Sequence, residues 1–165
     1  MPDSNATVAV HMAHAFRRHG VERVFGQSLP SLFLMAAEDL GVRQIGYRTE
    51  NAGAAMADGY ARVARRIGVV TAQNGPAATL LVPGLAEAFK SSVPVVAVVQ
   101  DVPAKFADKN AFQELDHFAL FSACTKWTRR LTLPARVDDY VDMAVQAATS
   151  GRPGRELRLR RLDEP

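Results

Sequence analysis

Arg48-Thr49-Glu50-Asn51-Ala52-Gly53-Ala54-Ala55-Met56-Ala57-Asp58-Gly59-Tyr60-Ala61-Arg62 is the stretch whose reading decides the fold. The short run before it, Gln44-Ile45-Gly46-Tyr47, reads as a strand, and the stretch itself as a turn followed by a helix over 50–64. Glu50 falls where that helix begins, so its charge interacts favourably with the positive helix end. Five of the next seven residues have little or no side chain, which lets another backbone lie close against this helix. A carboxylate at the mouth of a strand-to-helix turn, beside a face made for close contact, is a candidate site. A lone acid in a first helical turn is also what an ordinary helix start prefers, so the surrounding chain has to decide.

Outward from this stretch, strands and helices alternate. Thr7 is placed to cap a helix over 8–19 that stops at Gly20. A strand over 22–26 leads through the loop 27–30 to a helix over 31–40. After the central helix come a strand over 67–72, a helix over 77–90 and a strand over 94–99. Val95-Val96-Ala97-Val98-Val99 is apolar at every position, as a parallel strand covered on both faces must be. Beyond Asp101 the pattern predicts a polar loop over 102–109, a short helix over 113–122, a strand over 126–131 and an amphipathic helix over 137–149. Repeated strand-helix-strand units predict an α/β fold: a three-layer, doubly wound, mostly parallel sheet with helices on both faces. Arg17, Arg18, Arg65 and Arg66 read as solvated helix ends.

With 165 residues, 48% of them apolar, the chain is the size of one domain with a sizeable core. No apolar run approaches the roughly 18 residues of a membrane span, and residues 1–5 lack the pattern of a signal peptide. The single cysteine, Cys124, reads as a small buried residue and fits a reducing, cytoplasmic setting. Of the formal charge of +3, a net +2 lies in residues 151–165, where five arginines face three acids. That tail has no interleaved aromatics and the rest of the chain is nearly neutral, which argues against nucleic acid as a partner. His11 and His14 have no further ligand nearby and predict no metal site. Neither G-x-G-x-x-G after a strand nor G-x-x-x-x-G-K-[ST] occurs, which removes the usual warrants for dinucleotide or ATP binding.

The motifs R-x-E-x-(small)4-x-A-x-G-Y-A-R from Arg48, G-V-V-T at 68–71 and N-G-P-x-A-T at 74–79 occur in a set order. With the apolar run after Pro94, the segment Ala111-Phe112-Gln113-Glu114 and Lys126-Trp127, they resemble one family. This is the N-terminal, pyrimidine-binding (PYR) domain of thiamine-diphosphate enzymes, nearest the acetolactate synthase branch. The resemblance runs from about residue 5 to Gly154 and implies the thiamine-diphosphate-binding fold.

It also implies a role for Glu50: its carboxylate would bond N1′ of the cofactor's aminopyrimidine and favour the imino tautomer, which takes the proton from the thiazolium C2 so that the cofactor can attack a 2-keto acid. A carboxyl held in an apolar contact between chains has its pKa raised and can share a proton near neutrality. The resemblance sets Gly26, Asn74, Gly75, Pro76 and Thr79 beside the cofactor. It sets Gln27, Phe112, Gln113 and Lys126 in a substrate or neighbouring-subunit site. Gly75 permits close backbone approach and Pro76 stiffens the turn. This chain departs from the family at Thr49, where many relatives have His, at Ala77 and Leu80 in the G-P-G-A-T-N segment, and at Gln27-Ser28-Leu29, where G-x-P-G is common. Those departures bear on substrate and reaction more than on the cofactor class.

Thiamine diphosphate is therefore the implied cofactor. Its diphosphate and Mg²⁺ would be held by another domain or subunit, marked by Gly-Asp-Gly and a later Asn, and no Gly-Asp-Gly occurs here. No metal ligand is assigned in this chain, which is expected to be inactive by itself, and FAD in the full enzyme is left open. A homodimer or higher oligomer through the helix face from Ala52 to Ala57 is expected, and no membrane partner. Domain organisation is read as 1–154 for the PYR domain and 155–165 for an atypical basic tail. The change of composition after Gly154 suggests a frameshift, a truncated gene or a cloning boundary, with an edge strand at Leu157 and Leu159 as the alternative. Two other readings stay open: the alpha subunit of a split sulfopyruvate or phosphonopyruvate decarboxylase, and a non-catalytic ligand-binding or dimerisation domain.

Overall fold

A computed structural model describes residues 7–151 and 157–159. Thr7 caps α1 (Val8–Arg18) by accepting from Val10 N, and Gly20, at φ +77°, turns the chain out of it. The chain continues through β1 (Arg23–Phe25), α2 (Ser31–Asp39), β2 (Arg43–Ile45), α3 (Glu50–Ala64), β3 (Gly68–Ala72), α4 (Pro76–Lys90) and β4 (Val95–Val99). A 3-10 turn at Ala104–Phe106 follows, then α5 (His117–Phe121), β5 (Arg130–Leu131), α6 (Val137–Thr149) and β6 (Leu157–Leu159). The sheet runs β2-β1-β3-β4-β6-β5 with every pairing parallel.

Alternation along the central strands feeds two separate cores. Val24, Val69, Val96 and Val98 face a cluster built by α1, α2 and α6 around Met12, Phe16, Phe33 and Val141. Val70, Ala72, Val95, Ala97 and Val99 face the opposite cluster, with Ala54, Ala57, Leu81 and Leu85 of α3 and α4 and Phe121 of α5. A strand with side chains buried on both faces is apolar throughout, which is why β3 and β4 read as continuous runs. The three-layer, doubly wound α/β arrangement is as the sequence predicts.

Three local expectations are corrected. The helix expected over 113–122 begins only at His117, because Asp108, Asn110 and Gln113 all adopt positive φ (63°, 52° and 61°). Glu114 folds that loop by accepting from Asp108 N at 2.6 Å and Ala111 N at 2.9 Å, and Asp116 caps α5 through Ala119 N. The strand expected over 126–131 shortens to its last two residues. Leu157–Leu159, for which an edge strand is the alternative reading, pairs on both sides, with β4 and β5. The rest of the stretch 155–165 lies outside the described residues.

The four helix-end arginines are exposed as expected, and two of them also pair. Arg18 bonds Asp138 at 3.2 Å and Asp142 at 2.7 Å on α6, and Arg66 pairs with Glu22. His11 also faces α6, 3.6 Å from Asp138, and Cys124 is buried as expected.

Candidate active site

In a parallel sheet all strands end on the same edge, and ligands bind where the strand order reverses. Here β1 sits between β2 and β3, so the reversal falls between β1 and β3. Gly26 and Gln27 follow β1, Glu50 follows β2, and Asn74, Gly75, Pro76 and Thr79 follow β3. The topology thus carries the three motif segments to one edge of the sheet.

Glu50 is the first residue of α3. Thr49 caps the helix, its hydroxyl accepting from Ala52 N at 3.4 Å, and leaves the Glu50 carboxylate uninvolved in capping. The side chain is half-buried and has no hydrogen bond or ion pair among the described residues. Beneath it, Tyr47 donates to Thr71 O at 2.6 Å, locking the turn onto β3. Burial first, and the nearby charge of Glu50 second, push the Tyr47 phenol well above its ordinary value, so it stays a neutral donor. Gly53 makes this packing fit, since a Cβ there would lie 2.3 Å from the Tyr47 ring.

The small residues of α3 divide between two sides. Ala54 and Ala57 face inward, where Gly84 of α4 and Gly68 of β3 press so close that a Cβ on either would meet α3 at 2.5 or 2.3 Å. The neighbour served by that side is therefore this chain's own α4 and β3. Ala52 and Ala55 point outward, with Met56 partly so and Val63 88% exposed. Asp58 and Arg62 form a two-pronged pair at 2.8 and 3.1 Å, and Arg62 also reaches Glu87 of α4 at 3.2 Å.

Around Gly26 the space is filled from within. Gly26 N donates to Ile45 O, while Gln44 Nε2 donates to Gly26 O at 2.8 Å and Gln27 O at 3.0 Å. A Cβ on Gly26 would lie 2.4 Å from Thr71 Oγ1, a buried hydroxyl that finds no partner among the described residues.

The turn after β3 is bound to the segment carrying Phe112 and Gln113. Gln73 Nε2 donates to Gln113 Oε1 at 2.7 Å. Asn74 Nδ2 donates to Phe112 O and Gln113 O at 3.3 and 3.0 Å, and Gly75 N to the His117 ring at 3.0 Å. Thr79 Oγ1 closes the first turn of α4 on Pro76 O at 2.6 Å. Phe112 itself is 83% exposed. A cavity of about 540 Å³ opens beside it, lined by Leu29, Gln73, Asn74, Asp101, Phe106 and Phe112. Asp101 is buried and paired with Arg130 across the sheet at 2.8 Å. Lys126 is engaged at the other end of its segment, donating to Ser150 O at 3.0 Å after α6.

So the structure gathers Asn74, Gly75, Phe112 and Gln113 in one bonded cluster and sets Gly26, Gln27 and Glu50 on the same sheet edge. Gln73, Tyr47, Asp101 and His117 were not legible as site residues. Gln73 adjoins the N-G-P motif and carried some signal, but His117 carried none. Among the described residues no group of three His, Cys, Asp or Glu side chains could hold a metal ion. An unpaired carboxylate at a positive helix end suits a ligand that presents a ring nitrogen bearing a proton.

Comparison with known proteins follows this geometry. Residues 6–120 match the family described as thiamine pyrophosphate enzyme, N-terminal TPP binding domain. The chain is 38% identical over 154 residues to an acetolactate synthase of Arthrospira platensis, covering 90% of this chain and 27% of the relative. It is 39% identical over 145 residues to the acetolactate synthase isozyme 2 large subunit of Escherichia coli, covering 87% and 26%. To the chloroplastic acetolactate synthase of Arabidopsis thaliana it is 34% identical over 156 residues, covering 93% and 23%. The chain spans about a quarter of the length of these relatives.

Proposed function

The chain belongs to the N-terminal TPP-binding-domain family of thiamine pyrophosphate enzymes, and from that membership we propose that it forms the pyrimidine-binding part of an acetolactate-synthase-type enzyme acting on 2-keto acids. The observation that carries the proposal is Glu50: a half-buried carboxylate in the first turn of α3, with no partner among the described residues, at the ligand-binding edge of the sheet. Thiamine diphosphate supplies the carbanion-stabilising chemistry when bound.

The residues of this chain bind and orient. Glu50 accepts a hydrogen bond from a proton-bearing ring nitrogen, at the end of α3 whose dipole favours negative charge. Tyr47 and Gly53 fix the height of the turn that carries Glu50. Gly26, Asn74, Gly75, Pro76 and Thr79 form the wall beside the ring, and Gln27, Phe112 and Gln113 serve the substrate side, with Lys126 held apart from them on Ser150 O. The diphosphate and Mg²⁺ belong to a separate domain or subunit, without which this chain is inactive. Homodimerisation through the outward side of α3 and α4 is supported by the exposed stripe of Ala52, Ala55, Val63 and Leu80, and would shield Glu50 from water. A decarboxylating lyase or transferase of this type, housed in a reducing compartment such as the cytoplasm, accommodates the lone buried Cys124. No helix among the described residues is long and apolar enough to cross a membrane.

The test is reconstitution. The chain is mixed with thiamine diphosphate, Mg²⁺ and the diphosphate-binding domain of a relative, and consumption of pyruvate is followed. Activity should appear and should fall by ~10²–10⁴ in Glu50→Gln. A Glu50→Gln variant as active as the parent would sink the mechanism.

A further inference from the structure

His117 is the first residue of α5 and is completely buried. Its Nε2 lies 3.0 Å from Gly75 N, which can only donate, so Nε2 accepts and the ring proton sits on Nδ1. Nδ1 is itself buried and has no partner among the described residues. Gly75 caps α4, stands at φ +64°, and has no room for a Cβ, which would lie 2.6 Å from Gln113 O. Together with Gln73 and Asn74 it gives three consecutive residues that all donate hydrogen bonds into the segment 112–117. The three bonds that Gln73 and Asn74 donate in that clasp are amide contacts that hold at any ordinary pH. The His117 bond alone depends on a titratable acceptor.

We propose that His117 is a positioning residue for the β3–α4 turn, and that protonating its ring opens the clasp between Gly75 and the 112–117 segment. A protonated imidazole has two donors and no acceptor, so the Gly75 N–H would lose its partner and face an N–H of like polarity. The positive end of α4, which begins at Gly75, would repel the new charge as well. Gly75 faces the ring from the turn, and it and its chain neighbours Gln73, Asn74, Pro76, Ala77 and Ala78 are all uncharged. Phe121 stacks on it at 6.3 Å. The nearest acids in sequence are already committed: Asp116 to Ala119 N, Glu114 to Asp108 N and Ala111 N. Opening the clasp would free the turn bearing Asn74, Gly75 and Pro76 from Phe112 and Gln113. The switch belongs to the turn and stands apart from the thiamine reading, so its test needs neither cofactor nor partner domain.

The experiment is a pH titration of the full chain, labelled with ¹⁵N, followed by NMR. At neutral pH the His117 ring should show the Nδ1–H tautomer and a nitrogen–nitrogen coupling across the Gly75–His117 hydrogen bond. On acidification the coupling should vanish, and the Gly75 and Gln113 amide signals should move with the same midpoint as the ring. His117→Gln, whose Oε1 can accept the same N–H, should keep the neutral-pH Gly75 signal near its parent position and remove its pH dependence. His117→Leu should shift it at every pH. An Nε2–H tautomer at neutral pH, a Gly75 signal indifferent to ring protonation, or a ring that stays neutral until the chain unfolds would each overturn the proposal.

Discussion

Gly53 and Glu50 lie three residues apart and do different work, and both follow from local chemistry. Gly53 exists so that the Tyr47 ring can lie on α3 and reach Thr71 O. Gly53→Ala should therefore lower stability by about 1–3 kcal/mol, as overpacking does, seen as a lower urea midpoint. Ala52→Ser, on the outward side of the same helix, should stay within about 0.5 kcal/mol of the parent protomer. Glu50 was legible because a helix start is written in neighbouring residues: Thr49 as cap, an acid after it, small residues beyond. His117 was not legible, because the partner that gives it meaning, Gly75, lies 42 positions away. Gln113 fell between these cases. Its place in a motif marked it, but only the fold shows its side chain and carbonyl receiving Gln73 and Asn74.

At the scale of elements, packing partners decide what the pattern leaves open. The close seat of α4 on α3 rests on Gly84, and Gly84→Ala should cost about 1–3 kcal/mol because a backbone, rather than a flexible side chain, would have to move. The α1–α6 contact is electrostatic at its rim. Burial raises the Asp142 carboxyl, but hydrogen bonds from His19 and Arg18 outweigh it and hold it below its ordinary value of 3.8. A carboxylate depressed in the folded state contributes stability that is full above the unfolded value and lost as pH falls through the folded one. Stability to urea should thus decline from about pH 4 downward, and Asp142→Asn should flatten that decline while weakening the fold near neutrality. Helices with a clear apolar face were readable, α1 with its Thr7 cap and α6 without one. The starts of α5 and β5 were not, and for α5 the cause is that three positive-φ residues and the Glu114 loop override the helical spacing before His117. The place of Leu157–Leu159 between β4 and β5 was equally hidden: an arginine between two leucines reads as an edge, and strand order is a property of the sheet rather than of the segment.

Over the whole molecule, the sheet order does what no single motif could. By reversing between β1 and β3 it brings residues near positions 26, 50 and 74 to one edge, and through the 73–75 clasp it adds 112, 113 and 117. The chain spans about a quarter of the length of the relatives it matches. The most direct test of the central claim is the rate at which the thiazolium C2 proton of bound thiamine diphosphate exchanges with deuterium. It is read by NMR in the chain reconstituted with a diphosphate-binding domain and Mg²⁺, with and without Glu50→Gln. Exchange slowed by ~10²–10⁴ in the variant, with cofactor still bound, is the predicted result; equal exchange in the two proteins would contradict the assignment of Glu50.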